Sequence, residues 1–117
     1  MTSEQLANIV IAALEELKAT DINCVDVRKL TSICDIMIFA SGNSTRQVKA
    51  LADNTVRAVK AIKIIPLGTE GIEQGDWALI DLGDVIVHIM RPAIRDYYQL
   101  EKLWTTESAE SRQQSLQ

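Results

Sequence analysis

"DWALIDLGDVIVHIM", Asp76 to Met90, is the stretch on which the fold turns. It reads as two apolar strands joined at Leu82-Gly83. Side chains alternate across a strand. One face therefore holds Ala78, Ile80, Leu82, Val85, Val87 and Ile89. That face is wholly aliphatic and is assigned to the core, beneath helices. The other face holds Trp77, Leu79, Asp81, Asp84, Ile86, His88 and Met90. It is apolar in its middle and polar at its ends. With Leu82-Gly83 as the loop, Asp81 faces Asp84, Leu79 faces Ile86 and Trp77 faces His88.

The second face carries the information. Two aspartates opposed across a sheet cost about 0.2–1 kcal/mol. Burying both without partners costs far more. The hairpin tip is therefore expected to be wet, or to meet cations from elsewhere. Trp77 and its neighbours make a patch of the kind that marks an interface, and Trp is enriched among binding hot spots. The competing reading packs Trp77 under the loop of residues 66–75 or the last helix; the interface is favoured. His88 is the sole histidine. With no ligand partners and no nucleophile in view, it is read as a packed, hydrogen-bonded residue and not as a catalyst or metal ligand.

Outward from the hairpin, the pattern gives three helices and further strands. Leu6, Ile9, Val10, Ala13, Leu14 and Leu17 form one helical stripe. Thr2 and Gln5 fit a capping box, and Lys18 suits the last turn. Asn23 to Val27 reads as a short strand. Asp35 to Ser41, "DIMIFAS", reads as a central strand buried on both faces. "RKLTSI" between them is a polar connection that makes a hairpin. Gly42-Asn43 ends the strand, and Ser44 with Gln47 suggests a second capping box. The helix that follows lines up Val48, Leu51, Ala52, Thr55, Val56 and Val59. Pro66 stops it. "PLGTEGIEQG" opens with a possible short strand and then loops. Pro92 suits the first turn of a last helix, in which Ile94, Tyr97, Tyr98, Leu100 and Trp104 are the apolar candidates. From Thr105 the chain has little to bury and is expected to be a disordered tail. No internal repeat is visible. The order α-β-β-α-(β)-β-β-α implies a single α+β domain over 1–104 with one mixed sheet. The helices suffice to cover one sheet face more readily than both.

Composition narrows the function. The 117 residues fit one core. No run of 18 apolar residues exists, which excludes a spanning helix. The start lacks a basic region followed by an apolar run, so no secretory signal is read and a cytosolic location is expected. The net charge of −4 disfavours a nucleic-acid partner held through phosphates and suits a basic protein partner. Cys24 and Cys34 lack metal-ligand spacing and are read as small buried hydrophobes in a reducing compartment.

The strongest enzyme-like feature is "SGNS" ahead of a helix. Such a turn can hold phosphate, and nucleotidyltransferases set it beside two carboxylates that bind metal ions. No Asp-x-Asp follows here, and helix capping gives Ser44 a plain structural task. Phosphate-loop, dinucleotide and nucleophile-elbow motifs are absent. No catalytic residue, metal or cofactor is expected. A metal-dependent nucleotide-binding enzyme is the alternative reading.

"DIMIFASGNSTRQVKALAD", "DWALIDLGDVIVHIM" and "RDYYQLEKLW" together closely resemble the ribosomal silencing factor family, also called iojap-like. The resemblance spans about residues 6 to 104. It implies a nucleotidyltransferase-like α/β fold without known catalysis. It also implies a translation repressor that binds the large ribosomal subunit through ribosomal protein L-fourteen, blocks subunit joining by steric exclusion, and lowers translation when nutrients are scarce. The family's contact region maps, by motif match, onto Trp77, Asp81, Leu82, Gly83, Asp84, His88, Arg95 and Tyr98. The chain departs from the pattern in a less aromatic "DIMIFA" strand and in Pro92 with Ile94 before Arg95. The same exposed patch is expected to pair two copies into an isologous homodimer when the ribosome is absent.

Overall fold

A computed structural model describes residues 1–104. The tail expected from Thr105 lies outside the described residues. In chain order the elements are α1 (Ser3–Glu16), β1 (Thr20–Asp26), β2 (Ile36–Ser41), α2 (Thr45–Ala61), β3 (Gly68–Glu70), β4 (Trp77–Asp81), β5 (Val85–Met90) and α3 (Pro92–Tyr98). The five strands form one mixed sheet in the order β1-β2-β5-β4-β3. β2 and β5 lie parallel at its centre, and the other three pairings are antiparallel. All six residues of β2 are buried, as the unbroken apolar run requires of a strand covered on both faces.

α1 and α2 cover one face. Leu6, Val10 and Leu14 from α1 and Val48, Leu51 and Val59 from α2 pack on Ile38, Val87, Ile80 and Ile89. Each such fully buried side chain contributes about 1.5–3 kcal/mol of transfer free energy. Thr2 and Gln5 make the expected capping box. At α2 the Ser44 hydroxyl accepts from Gln47 N–H at 3.1 Å, but the Gln47 carboxamide oxygen accepts from Asn43 N–H at 2.6 Å, one residue upstream of a true box. The Gln47 Nε2 donates to the carbonyls of Leu17 and Lys18 at 3.2 Å each, so Gln47 joins the end of α1 to the start of α2. Lys18 is not in the last turn of α1. The helix ends at Glu16, and Lys18 turns the chain with φ of 65°.

Two other expectations change at the edge of the sheet. β1 starts at Thr20, ahead of Asn23, because an irregularity between Thr20 and Asn23 with Asp21 at φ of 51° absorbs the extra residues. Cys34 is buried, whereas Cys24 is exposed: β1 is an edge strand at the margin of the helices' cover. Partial desolvation against its neighbours and the nearby Asp26 carboxylate raise the Cys24 thiol's pKa.

The hairpin register differs from the expected one by two residues. Trp77 pairs with Met90, Leu79 with His88 and Asp81 with Ile86. The loop is Gly83-Asp84, closed by Leu82 N–H donating to the Val85 carbonyl at 2.9 Å. Gly83, at φ of 89°, supplies the left-handed residue that so tight a turn needs. Asp81 and Asp84 are therefore not opposed. An even shift preserves the two faces, so the division into aliphatic and mixed sides stands.

The mixed side is neither open nor sealed. Val25, Val27, Cys34, Met37, Phe39 and Met90 form a second core on it, with Ile94, Leu100 and Trp104 laid across. Ile94 of the short last helix, with Leu100 and Trp104 of the segment that follows it, thus packs over this second core. Among the described residues, no helix lies over the β4–β3 half.

Candidate functional site

An aromatic ladder crosses the mixed face from core to surface. Phe39 on β2 is fully buried and stacks on His88 of β5, with ring centroids 5.1 Å apart and planes 8° from parallel. The Trp77 indole N–H donates to His88 Nδ1 at 3.1 Å, which leaves the imidazole proton on Nε2. Trp77 then meets Tyr98 of α3 at 5.2 Å, and Tyr98 meets Tyr97 edge-on at 4.9 Å. Exposure rises along the ladder: His88 is 5% exposed, Tyr98 55% and Tyr97 79%. Burial pushes the His88 pKa down to about 4, so the ring is neutral at physiological pH and free to accept from the indole. His88 is thus packed and hydrogen-bonded, as its sequence context suggests.

Trp77 is half-buried: it packs on the second core, as the competing reading has it, and keeps part of its surface accessible. Its indole sits on the second core while one side opens onto a shallow groove of about 330 Å³ lined by Glu70, Gly71, Trp77 and Leu79. The backbone behind Trp77 is fixed by Gly71, whose φ is 74° and whose place would set a Cβ 2.0 Å from the Trp77 carbonyl oxygen. No other residue fits there.

The hairpin tip lies at the opposite end of β4 from Trp77. The Asp81 carboxylate accepts from Gly83 N–H at 2.9 Å and shapes the turn. Asp84 is exposed, while its carbonyl accepts from Asp35 N–H and Ile36 N–H at 2.8 and 3.0 Å. No ion pair engages Asp81 or Asp84 among the described residues. Leu82 is 8% exposed and belongs to the first core. Leu67, 75% exposed, stands beside Gly83, and Ile33 is 70% exposed. Neither aliphatic was singled out from the sequence, since isolated apolar residues in loops carry no periodic signal.

Arg95 is held inside the molecule. Its guanidinium clasps Glu101 with two N–H groups and donates to the Ser41 hydroxyl at 2.8 Å. Asn23 Nδ2 donates to the same Glu101 carboxylate at 2.9 Å. These bonds lower the Glu101 pKa, the Arg95 bond most of all. The network pins α3 and the following turn to the ends of β1 and β2. It also needs the chain to reverse after Tyr98, which Gln99 achieves in the left-handed region at φ of 50°. "IRDYYQLEKLW" is therefore not one helix. A larger cleft of about 680 Å³ lies over Ser41 and Arg95, but its charged centre is this internal pair.

The model of the family described as "Ribosomal silencing factor during starvation" matches residues 1–117. A ribosomal silencing factor of Chromobacterium violaceum is 47% identical over 104 residues, covering 89% of this chain and 85% of that protein. That of Bacillus subtilis is 35% identical over 104 residues, covering 89% and 88%. The chain belongs to the ribosomal silencing factor family. A crystal structure of a Chromobacterium violaceum protein shares the fold with a TM-score of 0.88 at 47% identity, covering 90% of this chain and 88% of that one. A Mus musculus relative, 32% identical over 86% of this chain and 46% of its own length, is named for mitochondrial assembly of the ribosomal large subunit. The family places this chain in ribosome silencing and translation regulation.

In this silencing factor the matched residues separate by position. Trp77 and Tyr98 reach the surface beside the groove, and Asp81, Gly83 and Asp84 reach it at the other end of the hairpin. His88, Leu82 and Arg95 are turned inward: His88 accepts from Trp77, Leu82 packs in the first core and Arg95 pairs with Glu101. The "SGNS" turn is occupied in capping α2, and Gly42 lies where a Cβ would be 2.9 Å from Val48 Cγ2, which ties the turn to helix packing. No described helix is long and apolar enough to cross a membrane.

Proposed function

We propose that this chain represses translation by binding the large ribosomal subunit through ribosomal protein L-fourteen and excluding the small subunit sterically. The observation that carries this reading is the half-open face: Trp77 and Tyr98 in ring contact at 5.2 Å, both accessible, beside a groove lined by Glu70, Gly71 and Leu79. An aromatic centre with a charged rim is the anatomy of a binding hot spot. Glu70 at its edge, with Asp81 and Asp84 at the far end of the hairpin, suits a basic ribosomal protein, speeding encounter and fixing register. Binding alone accomplishes the repression, and no chemical step is required. The same patch pairs two copies in the absence of the ribosome.

The test is co-sedimentation with isolated subunits, followed by subunit reassociation in magnesium. The chain should travel with large subunits and not small ones, and should reduce the yield of joined ribosomes. Trp77→Ala should abolish both effects. Pelleting with small subunits, or undiminished joining at saturating protein, would overturn the reading. Sedimentation velocity across concentration tests the dimer.

A further inference from the structure

Within the docking surface just proposed, one side chain that a partner hardly reaches controls the residue that it touches. We propose that His88 is a positioning residue, which sets the pose of the Trp77 indole for the partner by accepting its N–H at Nδ1 while stacking on Phe39.

The geometry allows little else. Trp77 lies across β4 at the margin of the covered face, with α3 on one side and the open groove on the other. Tyr98 alone, itself 55% exposed, would let the ring rock. The indole N–H is the single directional handle on that ring, and its acceptor is His88 Nδ1 at 3.1 Å. His88 in turn cannot pivot, because Phe39 lies flat against it at 5.1 Å and is fully buried. The fully packed core therefore dictates, through two rings, how a surface aromatic is presented. A ring presented in its bound pose loses less freedom on docking, which strengthens binding without a new contact.

Protonation would reverse the arrangement. An imidazolium has two donors and no acceptor, so it cannot receive the indole N–H. The ionisable groups on the surrounding elements are Arg95, Asp96, Tyr97 and Tyr98 on α3, Asp81 on β4 and Glu70 on β3. Arg95 is turned toward Glu101 and Ser41, and burial is the cause that lowers the His88 pKa. The imidazole thus stays an acceptor at neutral pH.

The inference rests on the docking reading for its function and on the intramolecular bond for its mechanism, and the experiment separates them. Wild type, His88→Phe and His88→Asn are compared. Phe keeps the stack and removes the acceptor, whereas Asn places an amide oxygen near the position of Nδ1. In the first arm, affinity for isolated large subunits is measured at pH 7.5. His88→Phe should bind about tenfold more weakly, the size of one lost neutral hydrogen bond's worth of positioning, and His88→Asn should recover most of that loss. In the second arm, the Trp77 indole ¹H–¹⁵N resonance, assigned with Trp77→Phe, is followed by solvent exchange. The proton should be protected in wild type and His88→Asn and exchange freely in His88→Phe. If wild type fails to bind large subunits while the protection pattern holds, the docking reading fails and the internal bond stands. If His88→Phe keeps full affinity, or its indole proton stays as protected as in wild type, the positioning role is refuted. Should His88→Phe not fold, equal exchange in wild type and His88→Asn supports the role, and a freely exchanging wild-type indole overturns it.

Discussion

Acid should unfold this protein partly through one imidazole, and the size of the effect follows from its burial. His88 is 5% exposed, and desolvation lowers its pKa from 6.5 to about 4. In the unfolded chain the ring returns to about 6.5. Between these values the unfolded state binds a proton that the folded state refuses. Stability is therefore complete above pH 6.5 and is lost as pH falls toward 4. A gap of about 2.5 pKa units at 1.36 kcal/mol each is worth roughly 3 kcal/mol, of which about 2.5 kcal/mol is gone by pH 4.5. That is a large part of the 5–15 kcal/mol typical of whole domains. Urea unfolding followed by far-UV circular dichroism at pH 7.5 and 4.5 measures it, with His88→Asn as the control that cannot titrate. Glu101 pushes in the same direction, because its depressed pKa is a stability present above the ordinary carboxylate range and lost below it, but it is common to both proteins and cancels. Wild type should lose about 2.5 kcal/mol more than the variant on acidification. Parallel losses in the two proteins would show that the buried ring titrates normally and that the packing argument around it is wrong.

Trp77→Ala should weaken large-subunit binding at least thirtyfold, in line with a hot-spot loss of about 2 kcal/mol. It should also lower the melting temperature by about 5–10 °C, since a half-buried ring, one hydrogen bond and one aromatic contact leave with it; an unchanged melting temperature would contradict its place on the second core. Asp84→Lys should slow association several-fold at low salt and converge with wild type at high salt, with thermal stability unchanged because the side chain is exposed; a salt-independent effect would argue against steering. Arg95→Met should cost about 2–3 kcal/mol in urea unfolding, because it removes the counter-charge and two N–H bonds from the mostly buried Glu101 carboxylate, with Arg95 and Glu101 side chains only 14% and 20% exposed. A loss below about 0.5 kcal/mol would mean that the pair behaves like a surface one.

Much of the fold was legible because one signal, hydrophobic periodicity, is strong here. The period-2 pattern of Ala78 to Ile89 identified the face beneath α1 and α2, and the apolar run of β2 marked a central strand. The hairpin register was not legible, since Leu82-Gly83 and Gly83-Asp84 are both acceptable turns and differ by an even step that leaves each residue on its own face. The break after Tyr98 was hidden for another reason. Gln99 carries no cue for a left-handed conformation. The turn is imposed by Arg95 reaching Glu101 and Ser41, contacts distant in sequence in the second case. Cys24 was misplaced because composition says that cysteines are buried, whereas its exposure is set by the edge position of β1. The candidate site was legible as a list of residue types and not as a division of labour. Motif matching brought Trp77, His88, Arg95 and Tyr98 to one region; only geometry showed that two of them face outward and two hold those in place.

That division answers the tension between Trp77 as core and Trp77 as interface. A tryptophan wholly on the surface would be mobile, and docking would have to order it at a cost of about 0.5–1.5 kcal/mol. A tryptophan wholly inside would offer nothing to a partner. Half-burial resolves both demands. The second core, closed by Ile94, Leu100 and Trp104, supplies a rigid floor. The Arg95–Glu101 network holds α3, and hence Tyr98, against one flank of the indole. His88 fixes the other through its Nδ1. The remaining flank is the groove beside Gly71 and Leu79. A short helix that leaves half a sheet face uncovered is therefore no failure of packing. A helix that covered Trp77 and Tyr98 would remove the surface proposed here for docking.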